Sequence, residues 1–205
     1  MPNTRPPHTK AWLHALLLAG LLLVLQAGGH GIKEFCLYSR GALLHEEWWR
    51  LLTSHFVHLG WAHTALNAAG VLLCCALAPQ LFNRLVWLKT AMLAIGVGLL
   101  LWLLSPSVGN YMGFSGVLYG LFALGLAPQA WRGNRSAALA LAFTAGWMLW
   151  QWMVSPSSAE EALIGGNIIG VAHVYGFGLG LTGALASWHL HKKHPDKHKH
   201  TVLRF

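Results

Sequence analysis

The feature that most narrows what this chain can fold into is the length of its apolar blocks. "AWLHALLLAGLLLVLQAGG" follows a basic start, and similar runs recur, giving blocks at about 11–28, 58–78, 85–104, 112–128, 136–154 and 167–190. A bilayer's hydrocarbon core is about 30 Å thick, so a helix crossing it needs roughly 20 apolar residues, fewer if it starts within the membrane. The composition agrees: hydrophobic residues make up 55% of the chain and charged residues 10%, whereas a soluble domain carries roughly 25% charge. The pattern therefore predicts an all-α membrane protein, a bundle of six transmembrane helices, and argues against a soluble domain. The first block reads as a retained helix and not a cleaved signal peptide, because more spans follow it. Cys36, Cys74 and Cys75 offer no disulfide framework, and the adjacent pair inside a span is expected simply to pack there.

Charge placement gives the direction of the spans. Arg5, Lys10, Arg84, Lys89, Arg132, Arg135, Lys192, Lys193, Lys197, Lys199 and Arg204, eleven of the fourteen basic residues, fall in the two terminal segments and alternate loops. The intervening loops hold five of the six acids. That alternation predicts both termini in the cytoplasm. It also accounts for the net charge of +8 as a topology signal with some attraction to anionic lipid, so the lipid bilayer is an expected partner and nucleic acid is not. The expected organisation is a cytoplasmic N-terminus at 1–10, a six-span domain at 11–190, and a basic, His-rich cytoplasmic tail at 191–205. The first outer segment, 29–57, mixes aromatics, aliphatics and charges in "GALLHEEWWRLLTSHF". It is expected to be partly interfacial and helical, with Trp48 and Trp49 at headgroup level.

A polar side chain in the bilayer core is a functional candidate by default. Three groups qualify. His63 and Asn67 lie four residues apart on one face of the second span, and an interhelical packing pair is the plain alternative. His55 and His58, just before them, are expected to be solvated. In "YMGFSGVLYG", Gly113, Gly116 and Gly120 are spaced as a stripe allowing close backbone approach, with Ser115 and Tyr119 on the adjoining face. At about 16 residues, roughly 24 Å, this fourth span is too short to cross the core. Ser115 should thus lie below the outer surface, and irregular backbone at that depth implies a water-lined or protein-buried pocket. In "GVAHVYGFGLG", His173, Gly176 and Gly180 form a similar stripe. If the two glycine stripes pack together, His173 comes within reach of Ser115. A neutral imidazole can then take the serine proton and generate a nucleophile. Tyr119 is placed to support His173, and His63 and Asn67 to donate to an oxyanion.

These motifs, in this order and at these depths, resemble the rhomboid intramembrane serine proteases: HxxxN in the second span, GxSG in the fourth, AHxxGxxxG in the sixth. The resemblance implies a Ser115–His173 catalytic dyad and an oxyanion hole of His63, Asn67 and the Ser115 backbone N–H. It also implies a supporting Tyr119, a structural Trp49-Arg50 pair, and a gate and cap formed by the fifth span and the following outer loop. Neither a metal nor any other cofactor is implied. The small size and "RGALLHEEWWRLLTSHFVHLGWAHTALNAAG" are similar to the rhombosortase branch. Those are bacterial inner-membrane enzymes acting on single-span proteins with a C-terminal Gly-Gly, hydrophobic, basic tail. Val174-Tyr175 departs from the family pattern and is expected to place a bulky aromatic near the glycine stripe. The rival readings are a generic rhomboid protease with other substrates, a non-catalytic rhomboid-like client-binding protein, and a metal-dependent protease or transporter. The last would use histidines as ligands, yet there is no HExxH and no acidic residue in any span.

Overall fold

The computed structural model describes residues 7–154 and 158–193, so the extreme N-terminus and most of the 191–205 tail lie outside the described residues. Six long helices occupy the six apolar blocks: α1 (Pro7–Ala27), α5 (Trp61–Leu77), α6 (Val86–Leu104), α7 (Ser115–Trp131), α8 (Arg135–Val154) and α10 (Gly170–Lys193). Three of these, α1, α6 and α8, are long and apolar enough to cross a membrane alone. A fourth counts if α5 is joined to the segment Arg50–Phe56, from which it is bent by 92°. Of the three long helices not counted alone, α10 is long enough at 24 residues but is not among the sufficiently apolar ones, while α5 and α7 are too short. Each has 17 residues, about 25 Å of helix, because the chain enters both through non-helical backbone.

The first outer segment is folded, not a single interfacial helix. It comprises α2 (Gly29–Cys36), β1 (Tyr38–Ser39), α3 (Arg40–Leu44), α4 (Arg50–Thr53) and one 3-10 turn (Ser54–Phe56). Two arginines hold it. Arg40 donates to the carbonyls of Leu101 and Trp102 in the last turn of α6 and of Ser105 and Val108 just beyond it, where a helix C-terminus leaves carbonyls short of partners. Arg50 donates to the carbonyls of Glu34 and Leu37 and to the Glu47 carboxylate, while Trp49 stacks on Phe35 at 5.3 Å. Trp48 and Trp49 keep 49% and 41% of their surfaces exposed. Beside the expected helices the segment holds one short strand. Tyr38 and Ser39 pair antiparallel with Tyr111 and Asn110 of β2 (Asn110–Tyr111), which ties the outer segment to the chain just before α7.

Helix α7 is the central element, packed against α5, α6, α8 and α10. Its buried side chains, including Val117, Leu121 and Leu126, and Phe114 just before it join those of α1 and α5 in the larger of two apolar cores. The contact with α10 is backbone against backbone. A Cβ on Gly116 would stand 2.9 Å from the Ala172 carbonyl oxygen, and one on Gly120 would stand 2.8 Å from that of Gly176. In return, side chains on Gly176 and Gly180 would collide with the carbonyls of Gly116 and Gly120. Small residues alone permit this approach, and it fixes the relative height of the two helices.

Candidate active site

Ser115 is the first residue of α7, so its side chain and backbone N–H stand at a helix N-terminus, where the first N–H groups have no intrahelical acceptor. The chain reaches it through a constrained turn. Gly113 has φ of +130°, a region that glycine enters without steric cost. Its N–H donates to the Ser54 carbonyl at 3.0 Å, its carbonyl accepts from the Tyr111 hydroxyl at 2.8 Å, and the next N–H, on Phe114, donates to His58 Nε2 at 3.2 Å. Three elements thus pin the two residues preceding the serine.

Ser115 Oγ and His173 Nε2 are 2.8 Å apart. His173 lies in the first turn of α10 and is 6% exposed. With the serine hydroxyl donating, Nε2 is the acceptor and the ring proton sits on Nδ1, which has no partner among the described residues. The Tyr119 ring, one turn into α7, stacks on the imidazole with centroids 4.6 Å apart and planes at 27°. Tyr119 thus meets His173 by packing, and its hydroxyl is turned toward Gln151 Oε1 at 3.4 Å.

His63 and Asn67 are both buried on α5. The Asn67 amide donates to the His63 carbonyl at 2.9 Å, which uses one of its two N–H groups. The His63 ring lies against Gly113, where an added Cβ would come within 2.8 Å of its Cε1. Ser115, Tyr119 and His173 are therefore gathered around the start of α7 with the His63 ring against the preceding Gly113, while Asn67, one turn further along α5, bonds within its own helix.

Several expectations need correction. Gly113 does not continue the helical stripe; it precedes α7 and serves the turn. His55 and His58 are not solvated: both are fully buried, His55 against Tyr111 and His58 edge-on to His63 at 5.0 Å. The two histidines lie at the 92° bend between Arg50–Phe56 and α5, where Val57 is buried with them and Trp61 stays exposed. Tyr175 does not crowd the glycine stripe; its hydroxyl pairs with Ser105 Oγ at 2.9 Å on another face of α10. Residues unanticipated as parts of the site are His58, Tyr111 and Gln151. His58 and Gln151 carried a readable signal, each a polar group in or beside an apolar run. Among the described residues no cluster of His, Cys, Asp or Glu is arranged to hold a metal ion.

The family model for the Rhomboid domain matches residues 45–193. Rhomboid-like protein 11, chloroplastic, of Arabidopsis thaliana is 28% identical over 103 residues, which is 49% of this chain and 35% of that protein. The chain therefore matches well under two thirds of that relative's length. The domain match takes in every gathered residue from His63 to His173 and most of the chain around them, so the chain belongs to the rhomboid family.

Proposed function

We propose that the chain is an intramembrane serine endopeptidase with a Ser115–His173 dyad. The observation that carries this reading is the 2.8 Å contact between Ser115 Oγ and His173 Nε2, held at a helix N-terminus by the α7–α10 glycine packing. Ser115 Oγ attacks the carbonyl carbon of a peptide bond while His173 Nε2 takes its proton. The tetrahedral oxyanion receives hydrogen bonds from the Ser115 backbone N–H, from His63 and from the remaining amide N–H of Asn67. Collapse breaks the C–N bond as His173 returns the proton to the leaving amine. Water, deprotonated by the same imidazole, then attacks the acyl ester and frees Ser115.

In this reading all six long helices sit in a bilayer, the bacterial inner membrane, with 1–10 and 191–205 cytoplasmic. The start of α7 then opens to the outer side. Helix α8 and the outer segment before α10 serve as gate and cap. Substrates are single-span membrane proteins, and the class proposed is the Gly-Gly, hydrophobic, basic C-terminal tail, by the similarity of the outer segment to rhombosortases. Ser115→Ala and His173→Ala should each abolish cleavage with membrane insertion intact, and the double variant should be no worse, as groups acting as a unit are not additive. A fluorophosphonate should label the native protein at Ser115. Substantial cleavage by purified Ser115→Ala protein would refute the mechanism.

A further inference from the structure

A serine–histidine pair needs something to set the plane of the imidazole, since a misplacement of about 1 Å can cost roughly 10²-fold in rate. Where a triad is present, a carboxylate on the other ring nitrogen does this. Here His173 Nδ1 has no partner among the described residues, and the ring is held by Ser115 on one side and the face of Tyr119 on the other. What fixes Tyr119 therefore fixes His173. Its hydroxyl donates to Gln151 Oε1 at 3.4 Å, and Gln151 Nε2 in turn donates to Glu160 Oε1 at 3.4 Å.

Resting on the dyad proposed above, we infer that Gln151 is a positioning residue for His173, acting through Tyr119. Gln151 is the one polar residue among the three buried positions of α8, the others being Ala137 and Met148. It sits three residues from the end of that helix, level with the start of the antiparallel α7. Its orientation is set by charge. A carboxylate accepts and cannot donate when ionised, so Glu160, on α9 (Ser158–Ile164), draws the NH₂ end of the amide. That leaves the carbonyl end for the tyrosine. The Tyr119 hydroxyl must then donate away from His173, and the ring presents its face to the imidazole. An outer-segment carboxylate, an amide on α8 and a phenol on α7 so form a chain ending on the catalytic base.

The test begins with Gln151→Met, which keeps the volume and removes both hydrogen bonds. It should lower kcat for a membrane-anchored substrate by about 3- to 30-fold with KM changed less than about twofold, the signature of an interaction felt in the transition state. Fluorophosphonate labelling of Ser115 should slow in parallel. Tyr119→Phe should give a similar loss, and the pair should be no worse than either alone. Gln151→Glu faces Glu160 and should be poor, but Gln151→Glu with Glu160→Gln restores both contacts, with Tyr119 still donating to position 151 and the new amide at 160 now donating to the carboxylate at 151, and should recover most of the rate. An independent readout is the Cζ carbon signal of labelled Tyr119, assigned by its loss in Tyr119→Phe. It should move in Gln151→Met and return in the swapped pair, whether or not peptide is cleaved. Absent labelling in the native protein together with a moving Tyr119 signal would defeat the dyad while leaving the hydrogen-bonded chain in place. Unchanged or increased kcat in Gln151→Met, additive losses with Tyr119→Phe, or no recovery in the swapped pair would overturn the positioning role.

Discussion

At the residue scale the sharpest division lies between groups proposed to act on charge and groups that hold the turn. His63 and Asn67 are buried polar residues on one face of α5, and only one Asn67 amide hydrogen is engaged within its own helix. In the proposed role of oxyanion donors they should matter most when charge develops. His63→Ala and Asn67→Ala should each lower kcat by about 10- to 1000-fold with smaller effects on KM. A destabilised protein with catalysis preserved in the folded fraction would instead mark them as packing residues. His58 makes a different prediction. Its Nε2 accepts the Phe114 N–H beside Ser115, so His58→Leu leaves a buried donor unmade, at a cost of about 1–3 kcal/mol. Melting in detergent should show that loss, with reduced Ser115 labelling because the turn before it is released.

At the element scale two contacts carry the arrangement. The α7–α10 packing leaves no space for a side chain on Gly176 or Gly180. Gly176→Ala forces the helices apart, and overpacking of this kind costs about 1–3 kcal/mol, occasionally more. Because the Ser115–His173 contact bridges the same two helices, activity should fall further than stability does, measurable as labelling rate against unfolding midpoint. The second contact is Arg40 on the end of α6. Arg40→Met keeps most of the apolar stem but removes hydrogen bonds to four carbonyls, and a loss of roughly 2–4 kcal/mol is expected, since charged hydrogen bonds contribute about 1.5–3 kcal/mol each but are not additive. Denaturation of the variant in mixed micelles checks this, with little change in kcat for the folded protein.

At the scale of the whole molecule the prediction concerns the substrate. A reporter with one span, Gly-Gly just outside the membrane and Lys/Arg after the apolar stretch orients with its basic end inward. Glycine weakens a helix by about 1 kcal/mol relative to alanine, so the Gly-Gly end should unwind and present an extended peptide to Ser115. Cleavage should release the reporter outward and fall when Gly-Gly becomes Ala-Ala. An intact reporter alongside a cleaved rhomboid substrate lacking Gly-Gly would make the chain a rhomboid protease of other specificity.

Six helices in six apolar blocks were legible without coordinates, because hydrocarbon demands long unbroken apolar runs and polar residues within them stand out. Ser115, His173, His63 and Asn67 were legible for that reason, and the glycine spacing pointed to the helix pair that would join the first two. The turn before Ser115 was not. Its fixing by Ser54, His58 and Tyr111 depends on a 92° bend and a two-residue strand pair, and neither leaves a periodicity in the chain. Nor could spacing show that Tyr119 offers its ring to His173 and its hydroxyl to Gln151, since that choice is made by a partner 32 residues away. Local sequence determined which segments became helices and which of them carried polar side chains. Contacts between distant segments, formed only when the bundle closes, decided which atoms of those side chains face each other.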